Sequence, residues 1–344
     1  MLILFLNYDI FNMYKKVRRI SSGIKMCMKK STKVILTISA VAAVTAALAA
    51  VSKYFCDFAM GTGEKSFRIN DSLGGEGNEY KNTLHERRNN YREWFLNRSE
   101  NIYLLTNDGV KVHALLAEHD EKTHRYVIIC HGYKNTSDDM GYQAYNFYNM
   151  GYNVLAPDGR AAGRTAGKHI GMGWLERRDL AGYVNFIIAK DNHAEIILYG
   201  VSMGAAEVMM AAGEKLPDNV KAVVEDCGYT SVWDEFAVQF RRIFKIPAVP
   251  MLNIISAYSK LVHGFGFKEA SALKALRRCK LPILMIHGTE DNFVPYEMLD
   301  RLYNAAAGEK EKLVIEGASH LQSDIIAPEI YWSAIEKFIS KYVR

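Results

Sequence analysis

Five consecutive residues, Gly200-Val201-Ser202-Met203-Gly204, have the types and spacing that nucleophilic catalysis requires. They follow the apolar run IILYG (196–200), which is typical of a strand, and precede a segment with helical periodicity. A serine on a strand-to-helix turn has a strained backbone, and side chains two residues before and after it would collide with neighbouring backbone. Glycines at both places remove the collision. The pattern predicts that Ser202 is a nucleophile, and the alternative is a turn whose serine only caps a helix.

A serine hydroxyl needs a base, usually a histidine, and the histidine needs a carboxylate that orients it. Asp291 lies in the loop after the apolar run PILMIH (282–287), and His320 lies in the loop after KLVIE (312–316). Serine, acid and histidine then occur in the chain order of a known hydrolytic triad. We predict a triad of Ser202, Asp291 and His320. Asp226, which also ends a strand, is the alternative acid.

Two backbone N–H groups are predicted to stabilise the oxyanion that forms when a serine attacks an acyl carbon. One belongs to Met203, the residue after the nucleophile, where the helix begins. The other belongs to Tyr133 in the sequence His131-Gly132-Tyr133, which ends an earlier strand. The alternative interpretation of the His-Gly pair is a plain tight turn.

The elements that must position these residues are short apolar strands separated by helix-length segments. This alternation predicts a mostly parallel sheet with helices on both faces. A hairpin around Asn107-Asp108-Gly109 precedes the sheet. Residues 227–281 form the one gap that is too long for a single crossover, and we predict a cap insertion at about 228–280. The predicted strands are YVIICH (126–131), NVLAP (153–157), IILYG (196–200), AVVED (222–226), PILMIH (282–287) and KLVIE (312–316).

Residues 34–52 are nineteen residues without a charge, and as a helix they would extend roughly 28 Å, close to the thickness of the hydrocarbon core of a bilayer. Residues 1–33 hold eight Lys or Arg and one acid. The positive-inside rule then predicts a single-pass anchor with a cytoplasmic N-terminus and an extracytoplasmic catalytic domain. The alternative is secretion after cleavage of a signal peptide at Ala47-Leu48-Ala49. A lipid anchor on Cys56 is not expected.

The predicted organisation has four parts. Residues 1–33 are a basic cytoplasmic segment, although the charge layout also allows initiation at Met26 or Met28. Residues 34–52 are the transmembrane anchor, and the Gly- and Asp-rich residues 53–79 are a linker. Residues 80–344 form the catalytic domain with its cap.

The composition limits the classes of partner and cofactor that we expect. Of 344 residues, 49% are hydrophobic and 24% charged, which is typical of a globular protein and excludes a disordered chain. After residue 33 the chain has 35 basic and 37 acidic residues, so nucleic acid is not an expected partner. The five cysteines show neither a disulfide framework nor the spacing of metal ligands, and no metal or other cofactor is expected.

From about residue 100 to 342 the chain resembles the α/β-hydrolase superfamily. Within it, the chain is similar to membrane-anchored bacterial hydrolases grouped with serine aminopeptidase-like or Bem46-like proteins. The family's usual loop motif Asp-x-Arg-Gly/Ala-His-Gly-x-Ser is altered here, because Ala162 replaces the histidine and Thr165 the serine. The resemblance therefore implies the fold and the triad but leaves the shape of this loop open. It is carried by CHGY (130–133), APDGRAAGRTAGKHIGMGW (156–174), GVSMG (200–204), EDCGYTSVWDEF (225–236), IHGTEDNFVP (286–295) and GASH (317–320).

The leading expectation is a serine hydrolase of carboxylic esters or small acyl compounds, which acts through an acyl-enzyme. The enzymatic alternative is an amide hydrolase or serine aminopeptidase-like enzyme, which would need an acid such as Asp234 or Glu235 to hold a substrate amine. The alternative of another class is a non-catalytic, membrane-tethered binding module. A fluorophosphonate probe that labels Ser202 would separate the enzyme from the binding module.

Overall fold

An eight-stranded sheet lies at the centre of residues 100–344, as seen in a computed structural model that describes residues 30–63 and 78–344. The strands are β1 (Glu100–Leu105), β2 (Lys111–Ala117), β3 (Arg125–Cys130), β4 (Asn153–Pro157), β5 (Glu195–Val201), β6 (Val220–Asp226), β7 (Ile283–Gly288) and β8 (Lys310–Ile315). Their order in the sheet is β1-β2-β4-β3-β5-β6-β7-β8. Strand β2 is antiparallel to both β1 and β4, and all other neighbours are parallel. The predicted mostly parallel sheet is confirmed.

Helices precede, connect and follow the strands. They are α1 (Lys30–Met60), α2 (Asn78–Arg98), α3 (Gly141–Asn149), α4 (Glu176–Lys190), α5 (Met203–Ala212), α6 (Val232–Phe244), α7 (Met251–Val262), α8 (Ala272–Leu276), α9 (Glu297–Ala305), α10 (Ser323–Ile326) and α11 (Pro328–Ile339). A short 3₁₀ turn at Ser137–Met140 precedes α3.

The central strands bury both faces, which explains why they read as continuous apolar runs. Along β3, Ile128 and Cys130 belong to one buried cluster, whereas Val127 and Ile129 belong to the other. The first cluster is covered by α4, α5, α8 and α9, and the second by α2, α3 and α11. The expected layers of helices on both faces are therefore present.

Helices α6 and α7 lie in the predicted cap insertion. α6 begins at Ser231, whose side chain accepts a hydrogen bond from the backbone N–H of Asp234. It has one apolar face, and Phe236 and Phe240 on that face are buried. Helix α8 also falls within the predicted insertion, but it packs against α5 of the central layer. Of the helices in this segment, α6 and α7 are therefore the candidates for the cap, which stays a prediction.

The prediction that residues 53–60 begin a linker is wrong, because α1 continues to Met60. The residues between 51 and 60 that are buried recur at helical spacing and pack into the core of the catalytic unit; they are Ser52, Phe55, Cys56, Ala59 and Met60. Beyond the helix, the backbone N–H of Ile170 donates to the carbonyl of Met60 at 2.7 Å, and Gly61 forms a bridge with His169. Tertiary packing thus extends the helix past the predicted boundary. The rest of the predicted linker, from residue 64 to 77, lies outside the described residues.

The chain divides into two compact units, residues 1–50 and 51–344. In the first unit, the described part is the beginning of α1, and its apolar side chains from Val34 to Val44 are exposed. The stretch Val34–Met60 has 27 residues, and an 18-residue window within it has a mean hydropathy of 2.4, so by length and composition it could cross a membrane or act as a signal sequence. The predicted basic segment 1–33 lies almost wholly outside the described residues.

Candidate active site

Ser202 lies on the sharp turn between β5 and α5, as its sequence neighbours predict. Its backbone has φ 55° and ψ −115°, a conformation that non-glycine residues rarely adopt. The backbone N–H of Ser202 donates to the carbonyl of Asp226 at 2.8 Å and so fixes the turn against β6. The parallel sheet therefore presents the hydroxyl at the carboxyl end of a central strand, where open α/β sheets bind their ligands.

Both flanking glycines are required by close backbone contacts. A Cβ atom on Gly200 would lie 2.2 Å from the carbonyl oxygen of Gly204, and a Cβ on Gly204 would lie 2.1 Å from that of Cys130. Either distance is well inside van der Waals contact. The spacing of the two glycines therefore follows from the tight crossing of β5, α5 and the end of β3.

The three residues predicted to form a triad lie within hydrogen-bonding distance of one another. Ser202 Oγ is 2.9 Å from His320 Nε2, and His320 Nδ1 is 2.7 Å from Asp291 Oδ2. All three side chains are buried, with at most 3% of their surface exposed. In this arrangement, His320 can accept the serine proton at Nε2 while its Nδ1–H donates to the carboxylate.

The Asp291 side chain is held in the loop after β7 by hydrogen bonds from the backbone of the same loop. Its Oδ1 accepts hydrogen bonds from the N–H groups of Phe293 at 2.9 Å and Val294 at 2.8 Å. Burial by itself would raise the pKa of the Asp291 carboxyl. The adjacent charge of His320 and the hydrogen bonds from His287 and His320 outweigh burial and hold that pKa well below its ordinary value. Asp291 is therefore a carboxylate at neutral pH, which is the state that orients a histidine.

The alternative acid, Asp226, has other partners. It accepts hydrogen bonds from Tyr331 Oη at 3.0 Å and from Ser323 Oγ at 3.4 Å. Burial, with the nearby Asp324, raises the pKa of Asp226 to about 7. In the structure, His320 is therefore hydrogen-bonded to Asp291, whereas Asp226 belongs to a separate buried network.

The residues predicted to donate to an oxyanion flank Ser202. Met203 is the first residue of α5, where backbone N–H groups lack partners within the helix. The loop containing Tyr133 approaches from β3, because a Cβ on Gly132 would lie 3.6 Å from Ser202 Cβ. Tyr133, Ser202 and Met203 all line one pocket. Their positions suit the predicted role, which stays a prediction.

His131 fixes this loop as a neutral ring. Its Nε2 accepts a hydrogen bond from the backbone N–H of Gly159 at 2.8 Å, so Nδ1 carries the proton and donates to the carbonyl of Gly132 at 2.7 Å. Burial lowers the pKa of His131, which is consistent with the neutral form. The His-Gly pair is therefore more than a plain turn, since it ties the loop after β3 to the loop after β4.

The altered loop after β4 keeps a hydroxyl bridge despite its departure from the family motif. Thr165 Oγ1 donates to the carbonyl of Asp158 and accepts from the N–H of His113, both at 2.8 Å. Arg160 in the same loop forms ion pairs with Asp179 and Asp108. Thr165 therefore closes the loop with its hydroxyl, and Ala162 lies in a loop that other contacts hold.

A second histidine beside the acid was not assigned a role from the sequence. His287 Nε2 donates to the carbonyl of Val294 at 3.0 Å and lies 3.3 Å from Asp291 Oδ2. Within residues 30–63 and 78–344, its Nδ1 and the Oε1 atom of the buried Glu225 have no hydrogen-bond partner. Burial raises the pKa of Glu225 to about 8, and the charge of His287 opposes that rise. In the sequence, His287 ends the strand and Asp291 follows four residues later, and this spacing was the available signal that the two side chains meet.

A largely apolar pocket of about 580 Å³, including its open mouth, lies over Ser202. Helix α6 supplies Phe236, Phe240, Ile243 and Phe244 to its lining, and α1 supplies Phe55, Phe58 and Ala59. The contribution of α1 was missed because residues 53–60 were assigned to a linker. The residues of this segment that are buried in the structure, at positions 52, 55, 56, 59 and 60, recur at helical spacing, and this spacing was the signal in the sequence.

One carboxyl group lines the pocket among the described residues, that of Glu235 on α6. Its Oε1 accepts a hydrogen bond from Gln239 Nε2 at 2.9 Å, whereas its Oε2 is buried and has no partner in the part of the chain that the structure describes. Burial raises the pKa of Glu235 to about 8, so it is protonated at neutral pH. Asp234, the other candidate anchor for an amine, instead pairs with Arg301 and Thr230.

Cys227 lies beside the triad and completes a group with potential metal ligands. Its Sγ and ligand atoms of Asp291 and His320 lie within 4.8 Å of one another. Metal binding requires a thiolate and a free imidazole nitrogen. Burial holds the pKa of the Cys227 thiol well above its ordinary value, and His320 already bonds to Ser202 and Asp291. The arrangement suits the triad better than a metal ion.

The chain is similar in sequence to known proteins. Residues 121–256, which include Ser202, match the family described as serine aminopeptidase, S33. The protein YqkD of Bacillus subtilis is 30% identical over 226 residues, which cover 65% of this chain and 73% of YqkD. The protein Rv2307c of Mycobacterium tuberculosis is 24% identical over 217 residues, which cover 62% of this chain and 69% of that protein.

Solved structures show the same fold. The esterase Pf2001 of Pyrococcus furiosus superposes with a TM-score of 0.57 and 23% identity, over 72% of this chain and 93% of the esterase. A puromycin-hydrolysing peptidase of Mycobacterium tuberculosis superposes with a TM-score of 0.55 and 18% identity, over 71% of this chain and 39% of the peptidase. Together with the family match and the relatives, these likenesses establish that the chain belongs to the α/β-hydrolase superfamily.

Proposed function

We propose that the protein is a serine hydrolase of carboxylic esters or small acyl compounds. One observation carries the proposal: the hydrogen-bonded series Ser202, His320 and Asp291 opens into a pocket whose lining is mostly aromatic and aliphatic. Such a lining favours an uncharged acyl group beside the nucleophile, because apolar surface is removed from water when the group binds.

In the proposed reaction, Ser202 Oγ attacks the acyl carbon while His320 Nε2 takes the serine proton. The carbonyl oxygen becomes an oxyanion, which accepts hydrogen bonds from the N–H groups of Tyr133 and Met203. His320 then gives its proton to the leaving alcohol, and an acyl-serine remains. Water, deprotonated by His320, hydrolyses this ester and restores Ser202. Asp291 holds His320 in the required tautomer and stabilises its cationic form. The proposed route uses neither a metal nor an organic cofactor.

The experiment combines active-site labelling with a series of substrates. We expect a fluorophosphonate probe to label the wild type at Ser202, and p-nitrophenyl esters to be hydrolysed with a dependence on chain length. In Ser202→Ala both signals should vanish, because loss of a triad member lowers turnover by about 10³-fold or more. The circular dichroism spectrum should stay that of the wild type. Absence of labelling in a folded wild type would favour the non-catalytic binding module instead.

An amide hydrolase or serine aminopeptidase-like enzyme is the second candidate, and Glu235 is the observation that favours it. Its unpartnered oxygen is a group that could hold a substrate amine near Ser202. A protonated carboxyl in an apolar lining is, however, a weak anchor for an ammonium group. If aminopeptidase activity is the function, Glu235→Gln should abolish hydrolysis of aminoacyl-p-nitroanilides and spare that of p-nitrophenyl esters.

We further propose that residues 34–52 belong to an uncleaved anchor that places the catalytic unit outside the cytoplasm. Eight basic residues precede the apolar stretch, and such charge stays on the cytoplasmic side. Secretion after cleavage at Ala47-Leu48-Ala49 is the alternative location.

A further inference from the structure

The wall of the pocket includes the end of the helix that carries the apolar stretch Val34–Met60. Phe55 packs against Phe236, with 5.6 Å between ring centroids, and against Phe240, with 5.9 Å. Tyr133 Oη donates to the carbonyl of Ala59 at 2.6 Å. Phe58, one turn beyond Phe55 on this helix, lines the pocket as well. A substrate in the pocket would therefore contact the same helix that has the length and composition to cross a bilayer.

We group five apolar residues as the rim: Phe58, Ile243 and Phe244 of the pocket lining, and Ile246 and Val249, which follow α6 in the chain. The first three are partly exposed and line the pocket. Ile246 and Val249 follow α6 directly and are 51% and 55% exposed. Single exposed apolar residues are common on protein surfaces, but a group of them beside a binding pocket indicates an interaction surface.

The segment that contains most of the rim is basic, whereas Asp57, next to Phe58 on α1, is an acid that pairs with Lys53 and His169. Residues 236–268 contain five basic residues and no acidic residue; the basic ones are Arg241, Arg242, Lys245, Lys260 and Lys268. Among them, Arg241 and Lys245 are exposed in the last turn of α6 and just after it, next to the rim. Apolar side chains flanked by lysine and arginine are the pattern that binds the surface of anionic membranes.

We propose that the rim rests on a bilayer that contains anionic lipid, and that the substrate is a membrane-resident ester whose long acyl chain passes from the bilayer into the pocket. The inference rests on the proposed ester hydrolysis at Ser202. Three observations support a bilayer over a protein partner: the apolar rim, the exposed Arg241 and Lys245 in the same segment, and the apolar helix whose last residues line the pocket. An acyl chain that moves from lipid to this lining avoids water, which lowers the cost of its transfer.

The experiment uses the full chain reconstituted in phosphatidylcholine vesicles with about one-fifth phosphatidylglycerol. The probes are p-nitrophenyl butyrate, which dissolves in water, and p-nitrophenyl palmitate, which partitions into the vesicles. The test variant is the double substitution Ile246→Glu and Val249→Glu, which introduces charge at the rim outside the pocket lining. The control is Ile330→Glu, because Ile330 is 60% exposed on α11, the helix that covers the other face of the sheet.

We expect the double variant to hydrolyse vesicle-borne palmitate about tenfold more slowly or worse, because carboxylates resist burial at a lipid surface. Its hydrolysis of butyrate should stay within about twofold of the wild type, as for ordinary surface substitutions. Palmitate carried in neutral detergent micelles should be hydrolysed by the double variant as by the wild type. The control variant should match the wild type throughout.

Two outcomes would overturn the inference while leaving ester hydrolysis intact. One is undiminished hydrolysis of vesicle-borne palmitate by the double variant. The other is an equal loss with micelles and vesicles, which would show damage to the pocket. Failure of the wild type to hydrolyse butyrate or to react with a fluorophosphonate would instead overturn the proposed function itself, and the inference with it.

Discussion

At the scale of single residues, the acid of the triad is distinguished from its neighbour by what each carboxyl bonds. Asp291 contacts His320 at 2.7 Å, whereas Asp226 bonds to Tyr331 and Ser323. The sequence favoured Asp291, because its loop follows a later strand, but it could not exclude Asp226. The choice depends on which carboxyl reaches His320, and that is settled by tertiary structure.

We expect Asp291→Asn to lower kcat for p-nitrophenyl esters by about 10⁴-fold, since the amide no longer fixes the His320 tautomer or stabilises its cation. Asp226→Asn should lower kcat by less than about tenfold, because it changes a network away from the histidine. Steady-state kinetics on both variants check the prediction. The reverse ranking would transfer the acid to Asp226.

Glu235 gives a prediction about stability against pH. Burial raises its pKa from an ordinary 4.5 to about 8 in the folded protein. Between these values the unfolded chain has lost the proton that the folded chain keeps. Stability therefore falls as the pH rises from about 4.5 to about 8 and levels off above that range. Buried Glu176, Glu225 and Asp226 have raised pKa values and act with the same sign.

We expect Glu235→Gln to make this fall shallower, because an amide does not ionise and can still accept the bond from Gln239. Its Tm should exceed that of the wild type by about 2 °C or more at pH 8.5 and lie close to it at pH 5. Calorimetric scans across this range provide the measurement. Parallel curves for the two proteins would show that Glu235 is already ionised in the native state.

At the scale of elements, the strands were predictable and the ends of helices were not. Fully buried strands must be apolar along their whole length, so runs such as NVLAP at β4 gave their bounds directly. The position of β4 between β2 and β3 depends on pairing between distant segments and has no local signature. The end of α1 is a similar case, since packing against α6 keeps residues 53–60 helical.

In the candidate site, the residues that lie in sequence motifs could be predicted from the sequence. The residues that join the site only through contacts in the folded protein could not. Ser202 and His320 stand in recognisable loops after strands. Glu225 and His287 are ordinary strand-end residues, and no motif marks the contact of His287 with Asp291 four residues later. Phe58 likewise enters the pocket through the fold, not through a motif.

Phe58 allows a test of the role of α1. We expect Phe58→Ser to lower kcat/KM for p-nitrophenyl octanoate relative to butyrate by about threefold to tenfold, because each buried methylene contributes about 0.8 kcal/mol against an apolar wall. Tyr54→Ser is the matched control, since Tyr54 lies one turn earlier on α1 and is absent from the pocket lining. Both substrates dissolve in water, so membrane contact does not enter. An equal effect of the two substitutions would remove α1 from the acyl-binding wall.

At the scale of the whole molecule, the apolar stretch decides where the enzyme works. If it is an uncleaved anchor, the full chain should sediment with membranes and resist extraction by high salt and by carbonate, because hydrocarbon burial of a spanning helix is effectively irreversible. Fractionation followed by immunoblotting provides the measurement. A mature form that begins near Ala50 in the medium would show a cleaved signal sequence.

Protease added to right-side-out vesicles tests the orientation. If the catalytic unit is extracytoplasmic, the enzyme should be cleaved without lysis of the vesicles. Protection until lysis would place the catalytic unit on the cytoplasmic side.

The burial of Phe55, Cys56, Ala59 and Met60 has a practical consequence for recombinant production. A shortened chain that begins at Val51 would keep this face of the helix and so the complete pocket. A chain that begins after Gly61 would lose it and leave Phe236 and Phe240 facing solvent, an exposed aromatic patch that promotes aggregation. Poor solubility of such a truncated protein, or loss of its preference for substrates with long acyl chains, would then reflect a missing wall of the binding site. An inhibitor screen run on it would sample a different cavity.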